Sequence, residues 1–313
     1  MLTATERPLV SVVLLSYNRP GSLERAIESV LAQTYQRLEI LVVDNRSAES
    51  PAVAALTSRY SRVRLIANAH NLGFAAGMNA GIAAASGRYV YLTEDDIELD
   101  PQCLACLIDH MERSPDVGVS GAVMLNRATG TIRCAGGYVD LGGIYRMTII
   151  GEGEAPSLDR TDPPYRVGYL PGATMMVRLE LLRELKGFRE EFFMYSEDTE
   201  LCVRVQKRGL ALTVVPTATV SHQEPGEATA DLGFHKVKNL AAMYLLHARL
   251  RVLPAFVLRY GVVDTFRAVG GARGGAATHL RAWCWVLVRA PRLLNERFRA
   301  GWFRPGGSMQ VAQ

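Results

Sequence analysis

Three consecutive carboxylates, Glu94-Asp95-Asp96, stand at the end of the apolar run Tyr89-Val90-Tyr91-Leu92-Thr93. Clustered like charges repel, so a core-bound strand gains no stability by ending this way. The chemistry that suits such an ending is a divalent cation, a polyphosphate held through a cation, or a proton transfer. A solvated turn, in which Asp95 and Asp96 open a helix through Asp100-Pro101, fits these residues as well. Two other polar clusters come after apolar runs: Ser16-Tyr17-Asn18-Arg19-Pro20 and Asp44-Asn45-Arg46-Ser47. A Tyr there can stack on a flat base, and an Asp can accept the imide proton of uracil or thymine. Each cluster alone also reads as a strand-terminating turn. The small residues of Asn71-Leu72-Gly73-Phe74-Ala75-Ala76-Gly77-Met78-Asn79-Ala80-Gly81 permit close approach, and a helix N-terminus there can face an anion. The segment lacks the Gly-Lys-Ser/Thr ending of a Walker loop and the first-strand placement of a dinucleotide fingerprint. Cys103-Leu104-Ala105-Cys106 is a lone CxxC with no second pair or nearby His, and reads as packing rather than metal binding.

The elements that must position these residues alternate over residues 9–123. Leu9–Ser16 is a β-branched run suited to a parallel strand covered on both faces. Pro20-Gly21 break it, and Ser22 is the expected N-cap of a helix carrying Leu23, Ala26, Ile27, Val30 and Leu31. Strands are expected at Leu38–Val43, Val63–Ala67, Arg88–Leu92 and Val117–Val123, with helices at Ala52–Tyr60, Gly73–Ser86 and Pro101–Arg113. This repetition predicts an α/β fold with a mostly parallel, doubly wound sheet and ligands at the carboxyl ends of its strands. From about Gly130 the pattern turns to hairpins and a polar loop, Gly151–Pro164. Order returns with Gly168–Val177, a helix from Arg178, a helix from Ser196 to about Arg208, and a strand at Leu212–Val215. After Glu227 the chain reads as helical to about Phe303, with Gly270–Gly275 as a break.

Charge is distributed unevenly. Gly233–Pro305 holds thirteen Lys or Arg against Asp264 and Glu296, while the remainder holds 22 basic and 29 acidic residues. The basic tail interleaves arginines with Met243, Leu246, Leu250, Phe256, Tyr260, Trp283, Trp285 and Leu287, a pattern expected of helices lying on an anionic membrane surface. Packing of these helices on the rest of the chain is the alternative. Nucleic acid is not expected as a partner, because no recognisable binding module is present. No apolar run reaches the roughly 18 residues of a spanning helix. Leu9–Leu15 is too short for a signal-peptide core, and five cysteines without framework spacing suit a reducing, cytoplasmic setting.

In order along residues 9–225, these motifs resemble the family-2 glycosyltransferases of GT-A fold. The set comprises Ser16–Pro20, Val42–Ser47, Asn71–Gly81, Glu94–Asp96, Gly172–Arg178, Gly187-Phe188, Phe192–Asp198, Leu201–Arg204 and Gly209. The nearest likeness is to bacterial enzymes that add rhamnose, galactose or related sugars to lipid-linked glycans. The resemblance implies a catalytic domain over residues 1–228, with its nucleotide-binding part at about 9–123 and its acceptor side at about 124–228, and then a helical tail, 229–313. It implies a nucleotide site from Ser16, Tyr17, Asn18, Arg19, Asp44, Asn71, Gly73, Asn79, Glu94 and Asp95. It further implies Mg²⁺ or Mn²⁺ held by Asp96, Glu94 and His222, although His222 reads equally as a surface-loop histidine. Asp198 falls on the family's general base, with Glu197 beside it.

The activity implied by the resemblance is an inverting transfer of a sugar from a nucleotide-diphosphate donor, UDP- or dTDP-linked. The implied acceptor is a glycan or a lipid-linked molecule at the cytoplasmic face of a membrane. A catalytically silent nucleotide- or glycan-binding scaffold is the other reading. Two positions depart from the family pattern: Arg46, where Gly or a small residue is usual, and Glu94, where Asp or Asn is usual. Ser196 is expected to cap the helix bearing Glu197 and Asp198, whose macrodipole would favour the ionised base.

Overall fold

The computed structural model describes residues 7–143, 145–157, 159, 161–223, 231–266 and 275–299. The expected domain boundary at 228, the Gly270–Gly275 break apart from its last residue, and the helix end near Phe303 lie outside the described residues.

Strand β1 (Val10–Ser16) lies inside the sheet, two strands from its β3 edge, and is buried at every position. Its neighbours are β2 (Leu38–Asp44) and β4 (Tyr89–Glu94), both parallel to it, and β3 (Val63–Ala67) is parallel to β2. Helices α1 (Pro20–Leu31), α2 (Ser50–Thr57) and α3 (Gly73–Ala84) connect them. The fit of α3 on the sheet is close: a Cβ on Gly81 would lie 2.2 Å from Val13 Cγ1, so only glycine lets the helix approach there.

The second half departs from a purely parallel winding. After β5 (Ile97–Leu99), α4 (Cys103–Arg113), β6 (Val117–Asn126) and β7 (Ile132–Cys134) comes a two-stranded sheet of β8 (Gly137–Asp140) and β9 (Arg146–Ile149). Next come β10 (Tyr165–Val167), β11 (Met175–Arg178), α5 (Leu179–Leu185), α6 (Glu197–Lys207) and β12 (Ala211–His222). The main sheet runs β10-β12-β6-β11-β4-β1-β2-β3, and β11 lies antiparallel between β4 and β6. The sheet is therefore mixed, Rossmann-like in its β1–β4 half.

Three local expectations are corrected. Helix α1 starts at Pro20 with Arg19 at the N-cap position, so Ser22 lies inside the first turn and caps nothing; proline's fixed φ suits that first position. Asp95-Asp96 open no helix. Ile97-Glu98-Leu99 alternates buried and half-buried positions and pairs antiparallel with Val220–His222. To make that pair, β12 runs on to His222, seven residues past Val215, through an irregularity between Val215 and Thr219.

The basic segment includes α7 (Asp231–His247), α8 (Leu253–Phe256), a π-helical stretch (Val257–Val263) and α9 (Gly275–Arg299). Ala241, Ala242, Met243, Tyr244 and Leu246 of α7 share a second hydrophobic core with Phe192 and Val203 of the α/β part and with Phe256, Val286 and Leu293. No described helix is long and apolar enough to cross a membrane.

Candidate active site

The strand ends converge as the alternation predicts. Asp95, at the turn after β4, accepts hydrogen bonds from Ser16 Oγ (2.9 Å) and Tyr17 N (3.0 Å). Its neighbour Arg19 bonds Asp96 and stands 3.7 Å from Asp95 Oδ1. Asn18, at φ 59, donates its backbone N–H to Ser47 Oγ, and its side-chain oxygen accepts from Ala48 N, which ties the two loops together. Tyr17 is left 45% exposed, an aromatic face open to solvent at the strand end. Asp44 is buried to 1% exposure and spends its oxygens within its own turn, on Ser47 N (2.9 Å) and Ser50 Oγ (2.6 Å). Arg46 takes φ 65, a left-handed conformation that glycine adopts freely and other residues rarely do.

Asn45, which the sequence places in the Asp44–Ser47 cluster without a role of its own, organises the glycine-rich segment. Its amide donates to Asn71 Oδ1 and Gly73 O, both at 3.0 Å, and its carbonyl accepts from Asn68 Nδ2 and Leu72 N. Gly73 has φ 77, and a Cβ on it would stand 2.4 Å from Phe193 O. Asn79 faces elsewhere: it exchanges hydrogen bonds with the Phe188 backbone and donates to Glu190 Oε1. It tethers α3 to the loop before α6 and does not join the strand-end cluster.

The acidic cluster has divided properties. Burial, then the charges of Asp96 and Asp95, push the Glu94 carboxyl up to about 8. Burial likewise pushes Asp95 to about 6, despite its bonds from Tyr17 and Ser16. Burial acts the same way on Asp96, but His222 and Arg19 outweigh it and hold this carboxyl below its ordinary value. Asp96 Oδ1 is buried without a hydrogen-bond partner, His222 Nδ1 likewise, and His222 Nε2 lies 3.5 Å from that oxygen. A bare carboxylate oxygen beside an imidazole suits a hard divalent ion such as Mn²⁺ or Mg²⁺. Glu94 does not complete the expected trio: among the described residues, no three His, Cys, Asp or Glu side chains form a metal cluster. The residues fit an ion that draws its remaining oxygens from a ligand.

Asp198 lies about a hundred residues on, yet its charge raises Glu94. Its Oδ2 accepts from Tyr169 Oη (2.9 Å) and Gly172 N (3.3 Å), and its Oδ1 from Thr199 N (2.6 Å). Ser196 makes no side-chain cap bond and is itself left-handed at φ 66, so the expected cap is absent. Nor does the helix start dominate ionisation: burial raises Asp198 despite the bonds from Tyr169, Thr199 and Gly172. Glu197 is held far above the carboxylate range by burial and by the charges of Asp198 and Glu94, and its Oε2 has no partner. Tyr169 was also missed; its signal is only proximity to Pro171-Gly172.

The segment leading to these acids is strained. Phe193, Tyr195 and Ser196 all have positive φ, at 62°, 71° and 66°, conformations costing on the order of 1 kcal/mol or more each. Asn239 of α7, fully buried, places Nδ2 at 2.8 Å from Phe192 O, 2.8 Å from Met194 O and 2.6 Å from Tyr195 O. Lys238 Nζ reaches Glu191 O at 2.6 Å.

Comparison with known proteins agrees with this architecture. The profile described as "Glycosyl transferase family 2" matches residues 11–133, and that of "Glycosyl transferase family group 2" matches residues 89–232. The N-acetylglucosaminyl-diphospho-decaprenol L-rhamnosyltransferase of Mycobacterium tuberculosis is 27% identical over 261 residues, covering 77% of this chain and 84% of the relative. An uncharacterized glycosyltransferase of Haemophilus influenzae is 24% identical over 239 residues, covering 75% and 71%. Among solved structures, the mannosyltransferase from Pyrobaculum calidifontis with GDP-Man and Mn²⁺ superposes with a TM-score of 0.56 at 16% identity, covering 97% of this chain and 84% of that one. GalNAc-T7 with UDP, GalNAc and Mn²⁺ gives 0.60 at 15% identity, covering 81% and 55%. The ordered motifs, the mixed sheet and these matches together show that the chain belongs to the family-2 glycosyltransferases of GT-A fold, related to bacterial rhamnosyl- and other glycosyltransferases of cell-surface glycan biosynthesis.

Proposed function

We propose that the protein transfers a sugar, with inversion, from a nucleoside-diphosphate donor to a hydroxyl of a glycan or lipid-linked acceptor. The observation that carries this reading is the Asp198 carboxylate, oriented by Tyr169, Gly172 N and Thr199 N beside the acidic end of β4. Tyr17 offers its face to a uracil or thymine base, and the Asp44 turn shapes the loop next to it. Asn18 and Asn71, in the loops after β1 and β3, and Gly73, at the start of α3, are assigned to the same nucleotide site, and Arg19 can exchange its carboxylate partners for a diphosphate oxygen.

An acceptor hydroxyl bound to Asp198 gives its proton to that carboxylate as its oxygen attacks the anomeric carbon. The bond from that carbon to the diphosphate oxygen breaks, and the nucleoside diphosphate leaves with the electron pair. A single displacement inverts the centre. A divalent ion at Asp96 and His222, near Glu94, would offset charge growing on the leaving diphosphate.

The C-terminal helices are proposed to lie on an anionic membrane at its cytoplasmic face. Of the ten large hydrophobic side chains exposed among the described residues, nine fall between Leu250 and Phe298. On α9 the exposed positions Leu280, Leu287, Val288 and Phe298 make a second apolar stripe, opposite the buried Ala282, Val286 and Leu293. Arg281 and Arg299 of the same helix are exposed, as are Arg249 and Arg251 ahead of α8, and this basic character selects anionic lipid over an apolar protein partner.

The test is Asp198→Asn. Transfer should fall by about 10³-fold while UDP or dTDP binding stays within about threefold. Full transfer in that variant would overturn the assignment.

A further inference from the structure

The geometry points to Asn239 of α7 as a positioning residue for the catalytic carboxylate. It lies 41 positions beyond Asp198 in sequence and touches no reacting group. Its role rests on the proposed glycosyl transfer.

The backbone that delivers Glu197 and Asp198 passes through Phe193, Tyr195 and Ser196 at positive φ, with Phe193 at the centre of a γ-turn closed by Met194 N on Phe192 O and Ser196 left-handed, conformations that non-glycine residues avoid. Such a path persists only where the surroundings over-determine it. One side of it is fixed by α3, where Ala75 N donates to Phe193 O at 3.2 Å and Gly73 leaves room for the same carbonyl. The other side is fixed by α7. Asn239 directs its amide at the carbonyls of Phe192, Met194 and Tyr195, and Lys238 adds the Glu191 carbonyl. The ring of His235, one turn earlier on α7, stacks on Phe193 with centroids 4.7 Å apart. The segment is thus clamped between the glycine-rich loop on the donor side and the C-terminal extension. Removing the α7 side lets residues 193–196 relax toward ordinary φ values, which turns the first residues of α6 and moves Asp198 away from Tyr169 and Gly172.

Asn239→Ser in the full chain tests this. Turnover should fall on the order of 10²-fold with the donor KM little changed, since a misplacement of about 1 Å has that effect on an aligned base. Amide exchange over residues 193–200 should rise, including at Glu200, whose N–H is bonded to Ser196 O. The discriminating step is a second change, Ser196→Gly, at a residue whose side chain makes no cap bond. Glycine accepts the left-handed conformation without the clamp, so Ser196→Gly/Asn239→Ser should regain about tenfold of the lost turnover. A general packing defect would not be rescued there. Unchanged turnover in Asn239→Ser, a parallel loss in donor binding, or no rescue by Ser196→Gly would each overturn the proposal. Should Asn239→Ser not fold, Asn239→Gln, which displaces the same amide by one methylene, is read by the same two measurements. Amide exchange is measured without substrate, so a wild-type protein that transfers no sugar would sink the functional reading while leaving the clamp itself tested.

Discussion

At the scale of single residues, the site depends on carboxylates whose environments drive them apart. Asp198 is buried enough that its proton is held more tightly than an ordinary aspartate's, and the Tyr169 hydroxyl works in the opposite sense by bonding the ionised form. Because the base must be ionised to act, the rate should rise with pH through the Asp198 ionisation. Tyr169→Phe removes a bond to the charged form, so its acidic limb should move to higher pH. Its turnover at neutral pH should fall roughly tenfold, the effect of losing one hydrogen bond to a charged group. A pH–rate profile checks both; an unmoved limb would mean that Tyr169 does not tune the base. The roles proposed for Asp96, Asp198 and Tyr17 were legible in the sequence because these residues stand in short ordered motifs. Those of Asn45, Tyr169 and Asn239 were not, since an amide or phenol says nothing of which distant carbonyl or carboxylate it will meet.

Among the elements, α6 and α7 are joined by a buried polar chain: Arg204 to Glu200 (2.6 Å), Glu200 to His247 (3.1 Å) and His247 to Lys207 (2.9 Å). Burial lowers the His247 imidazole to about 4, only partly offset by Glu200. Burial would raise Glu200, but Arg204 and His247 outweigh it and bring the carboxyl to about 2. Above about pH 4 His247 is largely neutral, so there Arg204 is the partner that keeps Glu200 ionised. An unfolded chain takes up the histidine proton near pH 6.5, the folded one only near 4, so stability falls as pH drops through that window. Glu200 adds a second loss, from its ordinary range near 4.5 down to about 2. His247→Gln should therefore show a melting temperature that declines less between pH 7 and 4.5, by roughly 2–4 °C. An identical decline would place the acid sensitivity elsewhere. The alternating β1–β4 half was readable from its hydrophobic runs. The antiparallel insertion of β11 was not, because Met175–Arg178 is equally apolar in either direction, and β5 is three residues that need β12 before they are a strand.

For the whole molecule, the C-terminal helices present two apolar faces where a solvated helix needs one. The buried face of α7 and α9 belongs to the second core, and the remaining stripe on α9 faces outward. Leu287→Asp/Val288→Asp changes two side chains that are 68% and 76% exposed, so folding and UDP binding should be unaffected. Co-sedimentation with vesicles rich in phosphatidylglycerol should fall by about an order of magnitude or more, since each apolar side chain contributes on the order of 1.5–3 kcal/mol when fully buried. Unchanged sedimentation would leave the stripe without a lipid role. The arginine-rich character of this region was plain in the composition; that one part of it is core and another is surface depends on a helix pairing that periodicity alone does not reveal.

Arg297 gives the pairing a consequence for how such chains can be rearranged. From the far end of α9 its guanidinium reaches back to the final carbonyls of α7, 3.0 Å from Leu245 O and also against Ala248 O. A gene fusion that joins one relative's residues up to β12 to another's C-terminal helices would need the incoming helices to bring a clamp that fits the recipient's loop. Swapping only the last helix would leave that clamp with a frayed end. Catalytic half and extension are then expected to be inherited as one recombination unit, with new acceptor preferences arising by substitution within the pair rather than by shuffling between lineages.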